Sequence, residues 1–93
     1  MEPGIIMLID YIDEILQNLR EMILRKNADY GDQNLVEGGL TGITLRIKDK
    51  CNRRIIQDYA KGDNSLKRKV DSDLLEIAGY AVNAVRLIRE DLI

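Results

Sequence analysis

The chain has 93 residues, 45% hydrophobic and 32% charged, with a net charge of −2, and its 4% of aromatic residues are all tyrosine. That is one domain with a small Ile/Leu core, which self-association would naturally supplement. With no histidine and a single cysteine, Cys51, the composition excludes histidine-based catalysis, His-ligated zinc and an intrachain disulfide. The charge balance recommends neither direct DNA binding nor a membrane surface, so any anion site must be local.

Pro3 and Gly4 open the chain, and a helix is predicted from near Ile5. Ile5, Leu8, Ile9, Ile12, Ile15, Leu16, Leu19, Met22 and Ile23 recur at three and four residues, which makes one apolar face. Tyr11 borders it as packing. Asp10, Asp13, Glu14, Gln17, Asn18, Arg20 and Glu21 fill the polar side, and Arg25 and Lys26 suit the last turn. The run from Ile5 to Ile9 is too short and too quickly followed by acids for a signal peptide or a membrane span. A cytoplasmic protein is expected.

Residues 27–42 read as an ordered, glycine-rich loop. Gly31, Gly38, Gly39 and Gly42 punctuate it, Asn27, Asp29, Asp32 and Asn34 are turn formers, and Leu35, Val36 and Leu40 anchor it. A loop this long in so small a domain points to function. Gly38-Gly39-Leu40-Thr41-Gly42 precedes a helix but lacks the Gly-Lys-Ser/Thr ending of a P-loop.

A second helix is predicted over 40–59, with Ile43, Ile47, Cys51, Ile55 and Tyr59 on its apolar face and Cys51 as a small core residue. Arg46, Lys50, Arg53 and Gln57 fall in one narrow sector beside it, with Arg54 between. Like charges so placed repel unless acids or an anion answer them. A polar turn is expected over 60–69, ending in Lys67, Arg68 and Lys69. The third helix is predicted from 70–73 to about Asp91. Asp73 and Glu76 have capping-box spacing at its start. Leu74, Ile77, Ala78, Ala81, Val85, Ile88 and Leu92 form its main apolar face. A second stripe, Asp73, Glu76, Tyr80, Asn83 and Leu87, lies roughly opposite, where another subunit or a ligand would explain it. The fold expected is all-α: three main helices, assembled as a helical-bundle oligomer.

Three constellations carry chemistry. Lys26, Arg46, Lys50 and Arg53 could grip phosphate, Arg as a planar fork and Lys as a point charge; the competing reading is a helix face paired with surface acids. Asp29 with Asp32 and Asp73 with Glu76 are each three apart, and if the two pairs converged they would hold Mg²⁺; acids at a helix start explain the second pair equally. Tyr30 and Tyr80 could stack a base beside the cations or simply pack.

Lys26-Asn27-x-Asp29-Tyr30-Gly31-Asp32, then Gly39-Leu40-x-Gly42-Ile43-x-x-x-Arg46-Ile47-x-Asp49-Lys50-x-x-Arg53, then Leu74-Leu75-Glu76-Ile77-Ala78-Gly79-Tyr80-Ala81 resemble the first type of "nucleotide modification associated" domain of phages and bacteria. The resemblance spans residues 26–89. It departs at Glu76, where that pattern usually has Asp, and at Ser72, where it often has another Asp. It implies a role around nucleotide or modified-base metabolism in viruses; the favoured expectation is a small virus-type protein that binds a phosphorylated nucleotide, linear or cyclic, and that could in that context sequester a host-defence signal. On this reading the ligand-binding residues are Lys26, Asp29, Tyr30, Gly31, Asp32, Arg46, Lys50, Arg53, Glu76 and Tyr80, with no cofactor. A looser likeness to all-α MazG-type pyrophosphohydrolases supplies the alternative, Mg²⁺-dependent hydrolysis with metal on Asp29, Asp32, Asp73 and Glu76, although the dense Glu-Glu-x-x-Glu run of those enzymes is missing. A structural assembly module is the third reading.

Overall fold

The computed structural model describes residues 2–60, 62 and 67–93. Three helices, α1 (Pro3–Tyr30), α2 (Gln33–Lys50) and α3 (Lys67–Arg89), are joined by one tight turn and, after α2, by a π-helical continuation over Cys51–Tyr59. No strand occurs among the described residues, and the all-α expectation holds. No helix among them is long and apolar enough to cross a membrane.

The glycine-rich loop expected over 27–42 is mostly helix. α1 runs on to Tyr30, Gly31 closes it with its N–H on the Asn27 carbonyl at 2.7 Å, and α2 begins two residues later. Glycine lowers helix propensity by only about 1 kcal/mol per residue, which tertiary packing overrides. Two glycines do break the helix: Gly31 (φ 67, ψ −168) and Gly39 (φ 64, ψ −164) occupy backbone space closed to L side chains. Gly31 makes the turn between α1 and α2, and Gly39 kinks α2.

After Lys50 the helix widens, as in the 2.8 Å bond from the Ala60 N–H to the Ile55 carbonyl. That i→i+5 pattern is rare and re-aims side chains relative to an α-helix. The predicted stripe from Arg46 to Gln57 therefore crosses a change of winding at Cys51. Of the predicted polar turn, Asp63, Asn64 and Ser65 lie outside the described residues, whereas Lys67, Arg68 and Lys69 belong to α3. Asp73 and Glu76 are consequently inside a helix and are not its N-terminal cap. At the other end Asp91 adopts φ 57, with the Leu92 N–H on the Leu87 carbonyl and the Asp91 N–H on that of Ile88. This terminating motif turns the chain so that Ile93 packs on the core.

That core is small: Ile43, Ala84 and Leu87 are buried, with Leu35, Val36, Ile47, Tyr80 and Ile93 against them. A second contact crosses α1 and α3 at buried Gly79, where an added Cβ would lie 2.9 Å from the Met22 terminus and 3.7 Å from Ile23. The main apolar face expected for α3 does not form the core. Leu74, Val85, Ile88 and Leu92 are exposed, and the buried positions of the helix are Val70, Gly79, Ala84 and Leu87. The opposite stripe therefore faces inward. That stripe is mixed, with Asp73, Glu76 and Asn83 beside Tyr80 and Leu87, so apolar period alone does not predict that it is the one turned inward. The N-terminal half of α1 is likewise open, from Ile5 to Leu16.

Candidate functional site

Residues 23, 26, 27 and 30 have the i, i+3, i+4, i+7 spacing of one helix face. At the C-terminal end of α1 that face carries Ile23, Lys26, Asn27 and Tyr30 and forms one wall of a cleft of about 370 Å³. Gly31 and Asp32 from the turn, Asn34, Leu35 and Arg46 from α2, and Tyr80 and Asn83 from α3 complete it. All three helices thus contribute. The cleft lies within the size range of small-molecule sites.

Asp32, part of its lining, is clasped by Arg86 from outside the lining. Arg86 Nη2 donates to Asp32 Oδ1 at 2.6 Å and Nη1 to Oδ2 at 2.9 Å. Asn27 donates to Asp32 Oδ1 at 2.7 Å, and Asn83 accepts from Arg86 Nη2 at 3.1 Å. The charge-assisted hydrogen bond from Arg86 holds the Asp32 carboxyl below its ordinary value, against a smaller upward push from burial, with the charge of Arg86 and the Asn27 bond adding to the lowering. The same bond raises Arg86. Asp32 precedes α2 without capping it, because its side chain is engaged across the cleft.

Two cations face the space above. The Arg46 guanidinium carbon lies 6.0 Å from the centre of the Tyr80 ring, within reach of a cation–π contact. Among the described residues Arg46 forms no ion pair, in contrast to Lys50, Arg53 and Arg54. Lys26 is 3.7 Å from Glu76 and remains half exposed. At the rim the Tyr30 ring is 77% exposed beside these charges.

Behind the cleft lies a separate ionic cluster. Lys50 pairs closely with Glu76 and lies 3.9 Å from Asp73. Arg54 Nε donates to Asp73 Oδ2 at 3.1 Å. Glu76 is lowered chiefly by its hydrogen bond from Lys50, opposed by burial and aided by Lys26; Lys50 is raised chiefly by the same bond. Lys50, Arg53, Arg54, Asp58 and Asp73 line a second cleft of about 320 Å³.

Of the ten residues expected to bind ligand, Lys26, Tyr30, Gly31, Asp32, Arg46 and Tyr80 share the first cleft. Lys50 and Glu76 sit behind it as an ion pair that steadies Lys26. Asp29 and Arg53 do not line it: Asp29 is exposed, and Arg53 pairs with Asp49 at 2.6 Å and lines the second cleft with Lys50. The four acids of the metal reading are not gathered either. Asp32 and Asp73 line different clefts, each is held by arginine, and no cluster of three or more acids or cysteines among the described residues is placed to hold a metal ion. Gly38 and Gly42 do not line the cleft. Sequence reasoning missed Arg86, Asn83 and Asn34. The stripe containing Asn83 was the available signal; Arg86, whose partner is 54 positions away, gave none.

Comparison of the chain with family models, curated proteins and solved structures finds no match.

Proposed function

We propose that the protein binds a phosphorylated nucleotide in the cleft between the three helices and holds it intact. The observation that carries this reading is Arg46. It is a guanidinium without an acidic partner among the described residues, lying over Tyr80 and facing a nucleotide-sized space with Lys26 and Tyr30. Arginine and lysine together suit phosphate, and exposed tyrosine suits the flat face of a base. Asp32 is fixed by Arg86 and, with Asn27, Asn34 and Asn83, offers groups for ribose hydroxyls or base edges. Lys50 and Glu76 act from behind by positioning Lys26.

The resemblance of the motifs in residues 26–89 to the nucleotide modification associated domain agrees with this ligand class. A virus-type protein of this kind would sequester a linear or cyclic nucleotide, including one that signals host defence. Holding the ligand intact is favoured over Mg²⁺-dependent hydrolysis because Asp29, Asp32, Asp73 and Glu76 are not gathered around one cavity, and Asp32, Asp73 and Glu76 are engaged by cations.

The test incubates the protein and Mg²⁺ with a panel of linear and cyclic nucleotides, then analyses the filtrate by chromatography before and after heat denaturation. A nucleotide that vanishes and returns unchanged on heating is the expected result. Its return as a monophosphate would establish hydrolysis, and depletion of none would overturn nucleotide binding for that panel.

A further inference from the structure

A chain of 10.6 kDa folded as a compact monomer exposes about 5,500 Å². This one exposes 7042 Å², an excess of about 1,500 Å² over that scaling. Its radius of gyration is 15.5 Å, where about 12 Å is the norm for this length. Much of the exposed apolar surface lies on two faces. One is the N-terminal half of α1, with Ile5, Leu8, Ile12 and Leu16 about half exposed; the other is the outer face of α3, with Leu74, Val85 and Ile88 equally so. The faces are continuous through a cleft of about 510 Å³ in which Tyr11 and Ile15 meet Leu74 and Ala78.

We infer that the N-terminal half of α1 docks on the outer face of α3 of a second copy of this chain, and reciprocally. Three observations identify the occupant. The excess area meets what one subunit buries in a stable homodimer, about 800 Å² or more. The lengths match: residues 3–18 span about 24 Å and residues 74–88 about 22 Å at the helical rise. The charges complement each other. Between Pro3 and Leu19 the charged residues are Asp10, Asp13 and Glu14, all acidic, whereas the exposed charged residues of α3 are Lys67, Arg68, Lys69 and Arg89 against Asp71 alone. Pairing α1 with its own copy would oppose acid to acid; pairing it with α3 opposes acid to base. An isologous exchange of this kind closes on itself. This interface stands independently of the nucleotide reading, since Arg46, Lys26 and Tyr30 are on neither face.

Light scattering after size exclusion at about 100 µM chain tests it, with Ile12→Glu on α1 and Val85→Glu on α3. The wild type is expected at a mass of two or more chains, and each substitution is expected to lower that mass while circular dichroism shows the helices retained. A second experiment applies if either variant unfolds. In a Cys51→Ser background, Ile12→Cys and Val85→Cys chains with different tags are mixed and oxidised, and disulfides joining the two tags are expected. A wild-type mass of one chain overturns the proposal. So does a mass sensitive to Ile12→Glu alone, which would pair α1 with α1, or cross-links confined to like tags. Co-sedimentation of a monomeric chain with phosphatidylcholine/phosphatidylglycerol vesicles would assign α1 to a lipid surface and likewise overturn it.

Discussion

Arg86 on α3 clasps Asp32, in the turn between α1 and α2, with both terminal nitrogens, at 2.6 and 2.9 Å. The fork ties the last helix to the turn that carries Tyr30 and Gly31. Arg86→Ala is expected to lower stability by about 1 kcal/mol, the scale of a partly exposed pair with good geometry, and to weaken ligand binding by loosening Tyr30. Arg86→Lys keeps the charge but not the planar fork and should restore little of either. Urea midpoints and equilibrium binding measured on the same samples check both. Unchanged binding in Arg86→Ala would remove the clasp from the account of the site.

The two lowered carboxyls set the acid limb of stability. Asp32 and Glu76 are held below their ordinary values of 3.8 and 4.5. Their contribution is therefore fully present above those values, where folded and unfolded forms are both ionised. As pH falls below them the unfolded chain takes up protons first, and the contribution is lost as pH passes through the lower folded values. Lys50 is raised above 10.5, so its share is present below that value and disappears as pH rises through the raised one. Urea midpoints should be level between these limits and fall on either side. Asp32→Asn and Glu76→Gln should each flatten the acid limb; an acid limb identical to wild type in both variants would contradict the assignment.

Arg46 and Arg53 separate the two halves of the cationic stripe. Arg46→Ala removes a guanidinium facing the cleft and is expected to weaken nucleotide binding by ~10- to 100-fold, the worth of one charge-assisted phosphate contact. Arg53→Ala removes a partner of Asp49 that lines the other cleft and should leave binding unchanged. Both should keep wild-type stability within about 0.5 kcal/mol. Isothermal titration with the nucleotide retained in the heat-release experiment distinguishes them, and equal losses would place the ligand outside this cleft.

Gly31 isolates backbone from contact. A methyl group there meets nothing within 4 Å, yet φ 67 and ψ −168 are closed to alanine. Gly31→Ala should cost about 1–3 kcal/mol and displace Tyr30 and Asp32 together. Gly38 is as open and sits at negative φ in α2, so Gly38→Ala should be neutral or stabilising by up to about 1 kcal/mol. Thermal unfolding of the pair is the comparison, and equal midpoints would exclude a conformational role for Gly31.

The helical class and the kind of chemistry present were legible in the sequence alone. Period-three-and-four apolar spacing is a local property, and a cation, a tyrosine, a glycine and an acid within Lys26 to Asp32 are visible without coordinates. The sequence also marked six residues that the fold brings into one cleft. Which face of α3 turns inward was settled by packing: the mixed stripe of Asp73, Glu76, Tyr80, Asn83 and Leu87 finds partners on α1 and α2, such as Lys26 and Lys50 for Glu76 and Arg46 for Tyr80, whereas the more apolar Leu74–Leu92 face does not. The continuation of helix through the glycine-rich stretch was likewise hidden, since most glycines accept helical angles when neighbours hold them and only Gly31 and Gly39 do not. That Arg46 lines one cleft while Lys50 and Arg53 line another, and that the winding changes at Cys51, no residue type announces. The clasp between Asp32 and Arg86 joins positions far apart in sequence, and such a pair becomes legible only when the helices that carry it are packed.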